Sequence, residues 1–540
     1  MITRRRLLRS SLNAVAAGMA GCGWRGAHGR IPGQLLGPSA ALGHRLRDHS
    51  FPAPAGTREA QVVIAGAGIA GLAAAYALRR QGIRDVLMVD ALDAPGGNAS
   101  WGRNAVSAYP WGAHYVPLVR ADCTPVLELF SELGIILDMG KDNRPVYNEY
   151  WLSADPQERL WMYGRWQEGF VPSMGAPVRD QEQFTAFFAA TERMKHATGR
   201  DGRPVFAIPV QNSSDDPEWR GLDRISFAEY LRQQGWDSPR LSWYADYCCR
   251  DDYGAVAAEV SAWAGLHYFA SRNGVAANAD ASSVVTWPEG NGHLASELAQ
   301  RSAAQFQGRA LVTQVARTRE GVSLDYFDAR LERSVRVKAR AAVVCLPRFA
   351  AARVVAGLGP SNAAGFTYSP WMVANVTLSR LPGGKGQPLA WDNVIYDSPL
   401  LGYVVATHQG LEQRRSDTVI TYYWPLSAGA PEAERRTALA RSLSDWQAIV
   451  TADLLRVHPE LQGHIENIDV WVWGHGMIRP TPGFIWGEAR RAAAVQMPPI
   501  FFAHSDLSGI SIFEEAYCRG RAAGELAARE AAAPSGSISL

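Results

Sequence analysis

The chain has 540 residues, more than one hydrophobic core usually serves, so at least two domains are expected. Its 47% hydrophobic and 20% charged residues are those of a globular protein. A net charge of +2, with no Lys/Arg block beyond the first nine residues, argues against a nucleic-acid binder. The 18 Trp suggest an aromatic-lined cavity as well as core filling.

In chain order, Thr3-Arg4-Arg5-Arg6-Leu7-Leu8-Arg9 and the small-residue stretch Ser10 to Gly21 resemble a twin-arginine export signal. That route carries folded proteins, which suits an enzyme loaded with its cofactor before export. Met19-Ala20-Gly21-Cys22 resembles a lipobox, so residues 1–22 read as a signal with Cys22 as a lipid attachment point. The expected location is the periplasm, free or lipid-anchored at the cell envelope. No later stretch reaches the roughly 20 apolar residues of a membrane span, so no transmembrane helix is expected. Residues 23–58, rich in Gly, Pro, Ala and Arg, read as a flexible tether.

Gln61-Val62-Val63-Ile64-Ala65 is a short apolar run that suits a buried parallel strand. Gly66-Ala67-Gly68-Ile69-Ala70-Gly71 follows, then the helix-forming Leu72 to Arg80. Val86 to Val89 forms a second strand, closed by Asp90. Gly66 permits the tight turn, Gly68 lets a pyrophosphate approach the backbone, and Gly71 lets helix and strand pack closely. The helix N-terminus offers free N–H groups to phosphate, and Asp90 stands where a carboxylate takes ribose hydroxyls. This predicts an α/β, Rossmann-type dinucleotide-binding domain without separating FAD from NAD.

The next residues make that choice. Gly96-Gly97-Asn98 and then Gly112-Ala113-His114 resemble the paired-glycine and D-x-G-A-H segments of the flavin-containing amine oxidase family, whose relatives include phytoene desaturases. Pro288 to Ala299, the strand-like runs from Leu311 to Pro347, and Ile500 to Ala523 resemble later segments of that family in the right order. The resemblance runs from Gln61 to about Ala528. It implies FAD, with the Val315 backbone at the adenine and Ser505 and Asp506 at the flavin chain. There are three departures from the family pattern. Asn98 replaces the usual Arg. Phe502-Ala503-His504-Ser505 displaces the acid, leaving Asp506 as the nearest substitute. Asn375 stands where many amine oxidases keep a lysine near flavin N5, which puts their standard mechanism in question.

The FAD domain is expected at 59–119, 280–348 and 487–529, and a mixed α+β substrate domain at 120–279 and 349–486. By the resemblance, Trp471 to Met477 reaches the substrate side of the flavin, which makes Trp473 and His475 the candidate catalytic residues. Tyr422, Tyr423 and Trp424 offer rings for an amine cage or simply core. Glu514 and Glu515 read as solvated. Scattered histidines predict no metal site. The six cysteines, among them the adjacent Cys248 and Cys249, match no metal or redox spacing, and that adjacent pair reads as packing.

The leading expectation is an FAD-dependent oxidoreductase that takes hydride from a small amine and passes electrons to oxygen or another acceptor. The alternatives are a desaturase or dehydrogenase of a non-amine substrate, and a flavin protein that transfers electrons without a small substrate.

Overall fold

Val62–Ala65 is buried at all four positions, as a β-branched run with neighbours on both sides must be. It is the middle strand of a five-stranded parallel sheet in the order Gln305–Gln307, Val86–Val89, Val62–Ala65, Ala341–Val344, Ile500–Phe502. These elements belong to a computed structural model that describes residues 31–48, 50–412 and 415–533. On the sheet lie the fingerprint helix Ile69–Arg80 and the C-terminal helix Phe513–Ala532. The two helices touch backbone to side-chain-free backbone. A Cβ on Gly520 would lie 2.1 Å from the Ala70 carbonyl oxygen, and one on Gly524 would lie 2.5 Å from that of Ala74. An antiparallel meander, Ala310–Thr318, Gly321–Asp328 and Arg333–Ala339, stands beside the sheet.

A second, eight-stranded sheet is drawn from distant stretches. Its order is Leu35–Leu36, Ile465–Ile478, Tyr368–Leu378, Thr418–Pro425, Gly402–Val405, Asp392–Ile395, Glu158–Met162, Arg165–Glu168. Tyr368–Leu378 is buried along its whole length because both faces are covered. The face carrying Met372, Ala374 and Val376 packs with Trp446, Val450 and Leu454 of helix Leu443–Val457. The face carrying Trp371 and Val373 joins an aromatic cluster with Trp111, Tyr423 and Trp473.

The tether expected at 23–58 needs correction from residue 31 onward. Leu35–Leu36 pairs in parallel with Val470 and Trp471, and Gln34 N–H donates to the Asp469 carboxylate at 2.9 Å. Gly33 allows this approach, since a Cβ there would lie 1.9 Å from the Ile468 carbonyl oxygen. Helix Ala40–Asp48 follows, started by the Ser39 hydroxyl accepting the Leu42 N–H, and buries Leu46. Pro54–Glu59 then pairs in parallel with the meander strand Arg333–Ala339. The segment is a strap pinned at one end to the second sheet and at the other to the meander. The predicted signal and Cys22 lie outside the described residues, in which no helix is long and apolar enough to cross a membrane.

Candidate functional site

One cavity of about 670 Å³ runs between the two sheets. At one end Gly66, at φ +97°, turns the chain from strand to helix. Gly68 caps the fingerprint helix without any side-chain cap, leaving first-turn N–H groups for a ligand. A Cβ on Gly68 would meet only the Gly97 Cα, at 3.8 Å, so this spot is open. Gly71 differs: a Cβ there would lie 2.0 Å from the Gly66 carbonyl oxygen. Gly66, Gly68, Ile69 and Ala70 line the cavity, as do Gly96, Gly97 and Asn98. Ala67 and Gly71 support it from behind.

Asp90 ends the second strand at the cavity wall. Its carboxylate accepts the Ala67 N–H at 2.7 Å and the Leu92 N–H at 2.8 Å. Burial raises its pKa while these amides oppose the rise. A carboxylate has about four acceptor positions, and with the Ala91 N–H also approaching, one remains for a ribose hydroxyl. The Asn98 amide donates to the Gly476 carbonyl and ties the glycine turn to the second sheet. A crevice lined by glycine, with a helix N-terminus and a terminal carboxylate, has the shape and the donors for the dinucleotide of FAD.

Further along, Gly112, Ala113, His114, Ser505 and Asp506 line the cavity. Asp506 is 1% exposed and heavily engaged. It accepts the Arg348 N–H at 2.9 Å and the Tyr368 hydroxyl, and His504 Nδ1 lies 3.0 Å from its other oxygen. Although burial opposes it, the His504 charge and these donors hold its pKa below the usual range. Its oxygens serve the fold first and leave little for a ribityl chain.

The far end is aromatic and acidic. His114 stacks on Tyr423 at 4.5 Å, with Trp391 at 5.7 Å, and burial pushes its pKa down to about 4. Trp473 forms wall here, its indole N–H donating to the Trp111 carbonyl at 2.6 Å. His475 stacks on Phe349 at 4.2 Å, and burial with the nearby Arg435 pushes it down to about 3. Both histidines are neutral at physiological pH.

Asp251, Asp252 and Arg272 also line this cavity. Arg272 is committed: it pairs with Asp252, donates to the Tyr115 hydroxyl at 3.2 Å and lies over Tyr268. Among the described residues Asp251 has no such partner. Burial, then the charge of Asp252, with Glu158 adding to the rise, push its pKa up to about 7. Asp392 is raised by burial and by Asp251 and Glu158. Arg272 has its own acid in Asp252, so Asp251, Glu158 and Asp392 form an acidic group short of positive charge.

Some predicted positions are corrected. Val315 does not reach the cavity. A bulge between Val312 and Gln314 shifts the register, so Leu311 and Val312 line it while the Val315 carbonyl accepts the Ala356 N–H at 2.8 Å. Asn375 is buried and engaged in the fold, donating to the Pro110 carbonyl and accepting from Thr421, and Trp371 and Val373 of the same face line the cavity instead. Tyr422 packs in the core on the opposite face, so only Tyr423 of the proposed ring trio reaches the site. Glu514 and Glu515, expected in solvent, are 3% and 0% exposed. Asp251, Asp252, Arg272 and the wall made by Leu42, His44 and Arg47 of the strap were not anticipated. The strap did carry a signal: Ser39 followed by leucines at 42 and 46.

Among known proteins, the NAD(P)-binding Rossmann-like domain family matches residues 64–133. The tRNA 5-methylaminomethyl-2-thiouridine biosynthesis bifunctional protein of Chromohalobacter salexigens is 35% identical over 186 residues, 33% of this chain. The match spans only 23% of that relative's length. A putrescine oxidase variant superposes with a TM-score of 0.63 at 16% identity, covering 88% of this chain and 100% of its own. Cyclohexylamine oxidase from Brevibacterium oxydans gives 0.61 at 18% identity over 88% and 99%. A putative protoporphyrinogen oxidase from Exiguobacterium gives 0.59 at 13% over 89% and 100%. The chain has the fold of these oxidases: a Rossmann-type domain joined to a second, larger sheet.

Proposed function

We propose that this chain is an FAD-dependent oxidoreductase acting on a small amine. The observation that carries the reading is the continuity of one cavity from Gly68, where a dinucleotide fits, to Tyr423 and Asp251, where a cation fits. When bound, FAD supplies the acceptor for a hydride from substrate carbon. The chain does the rest. Gly68, Gly97 and the fingerprint helix hold the pyrophosphate, and Asp90 holds the ribose. Trp371, Trp473 and Tyr423 exclude water and confine the substrate. A neutral amine entering near Asp251 takes a proton from the acidic group and is held as an ammonium by the resulting carboxylate, with the Tyr423 ring adding cation–π attraction. The imidazole of His475, pushed down to about 3, is too weak a base to take the amine's proton and serves as a neutral wall of the cavity.

A second reading is oxidation of a non-amine C–H substrate. It is favoured by the absence of any lysine among the described residues lining the cavity. The proposal extends to export of the loaded protein by the twin-arginine route, with lipid attachment at Cys22, and to oxygen or another carrier as electron acceptor.

The test is an absorbance spectrum followed by anaerobic mixing with a panel of amines. Bleaching of the flavin bands by amines supports the first reading. Bleaching only by non-amine substrates replaces it with the second, and bleaching by dithionite alone leaves an electron carrier.

A further inference from the structure

Two adjacent glutamates begin the C-terminal helix, and they face different surroundings. Glu515 points into protein, where its Oε1 accepts the Val210 N–H. Glu514 lines the cavity beside Ser511, Ile512, Phe513 and Ala516. It is 3% exposed, and no other described residue hydrogen-bonds to its carboxyl group. A buried polar group aimed into a cavity without a partner is costly unless a ligand completes it.

Its electrical surroundings come from several elements. Asp252 and Arg272 face it, but Arg272 is paired with Asp252. Glu515 follows it on the helix, and Cys123 and Tyr147 lie within reach of its charge. Burial dominates and, with Glu515 and Asp252, outweighs the hydrogen bond from its own backbone N–H and the charge of Arg272, lifting the group to about 7. Below that pH the group is a neutral acid that can donate a hydrogen bond. Above it the group is an anion that can only accept.

We propose that Glu514 keeps its proton at the cavity wall and donates it as a hydrogen bond to the bound cofactor. The inference rests on the FAD reading. FAD offers carbonyl oxygens, ring nitrogens and phosphate oxygens, so a donor is what it lacks from this wall. Ionisation of Glu514 removes the donor and sets a carboxylate against those acceptors. Cofactor retention therefore falls as pH rises through neutrality.

The experiment follows FAD release from the purified holoprotein by flavin fluorescence between about pH 6 and about pH 9, the range that brackets this ionisation. In the wild type, affinity should fall about tenfold across that range, the size of one charge-sensitive hydrogen bond. Glu514→Gln, which keeps an N–H donor at every pH, should hold FAD with no such step. Glu514→Leu should bind weakly throughout. Asp251 ionises in the same range, so Asp251→Asn serves as control and should keep the step. A step that survives in Glu514→Gln, or its absence in the wild type, overturns the inference while leaving the cofactor reading intact. A wild-type protein that takes up no FAD overturns both.

Discussion

The crevice at Gly68 and the pocket at Asp251 are two ends of one cavity built by opposite means. The crevice is local. About thirty consecutive residues, from Gln61 to Asp90, supply its strand, turn, helix and carboxylate, and its selectivity comes from missing side chains. The pocket is assembled from afar. Asp251, Arg272, Trp371, Tyr423 and Trp473 come from a helix, a loop and three strands, and its selectivity comes from side chains that are present. A ligand bound mainly by backbone should tolerate changes in the pocket, whereas a ligand bound by side chains should be redefined by them.

The largest expected effect breaks the crevice without breaking the fold. Gly68→Val should abolish flavin retention, because a branched side chain occupies open cavity rather than protein. A yellow, normally melting variant would refute the pyrophosphate site. Gly71→Val supplies the contrast. Its side chain collides with the Gly66 backbone, so overpacking of about 1–3 kcal/mol or more should lower the melting temperature directly.

Next come the pocket and the ribose site. Asp251→Asn should raise KM for a cationic amine by about tenfold, equivalent to about 1.4 kcal/mol, with little change for a neutral substrate. An equal loss for both would show that Asp251 only supports the fold. Asp90→Ala should weaken FAD by about 1–3 kcal/mol through the lost charged hydrogen bond, measured by flavin titration. Unchanged affinity would place the ribose elsewhere.

The smallest effect concerns pH. With its pKa lowered to about 3, His475 is already neutral throughout the working range. His475→Gln should therefore leave the position of any pH-rate transition near neutrality unchanged, even if the rate falls. A shifted transition would mean that the histidine titrates there.

The same contrast explains what the amino-acid order revealed. The fingerprint was legible because each glycine has its own steric reason within a single turn. The C-terminal helix was legible from its run into Gly520 and Ala523, but the burial of Glu514 was not, since two adjacent acids usually mean solvent. Val315 was misplaced by a bulge that no periodicity encodes, and Asn375 by assuming that one strand position faces the cavity when its amide is spent on Pro110 and Thr421. Asp251 was invisible because its meaning lies in Glu158 and Asp392, which meet it only after folding.

The segment 31–48 was misjudged from composition, yet it forms one wall of the cavity. Its first residues are stitched to the eight-stranded sheet, its helix lines the cavity, and its continuation is stitched to the meander. A ligand in the cavity is therefore fenced on one side by a segment held at both of its ends.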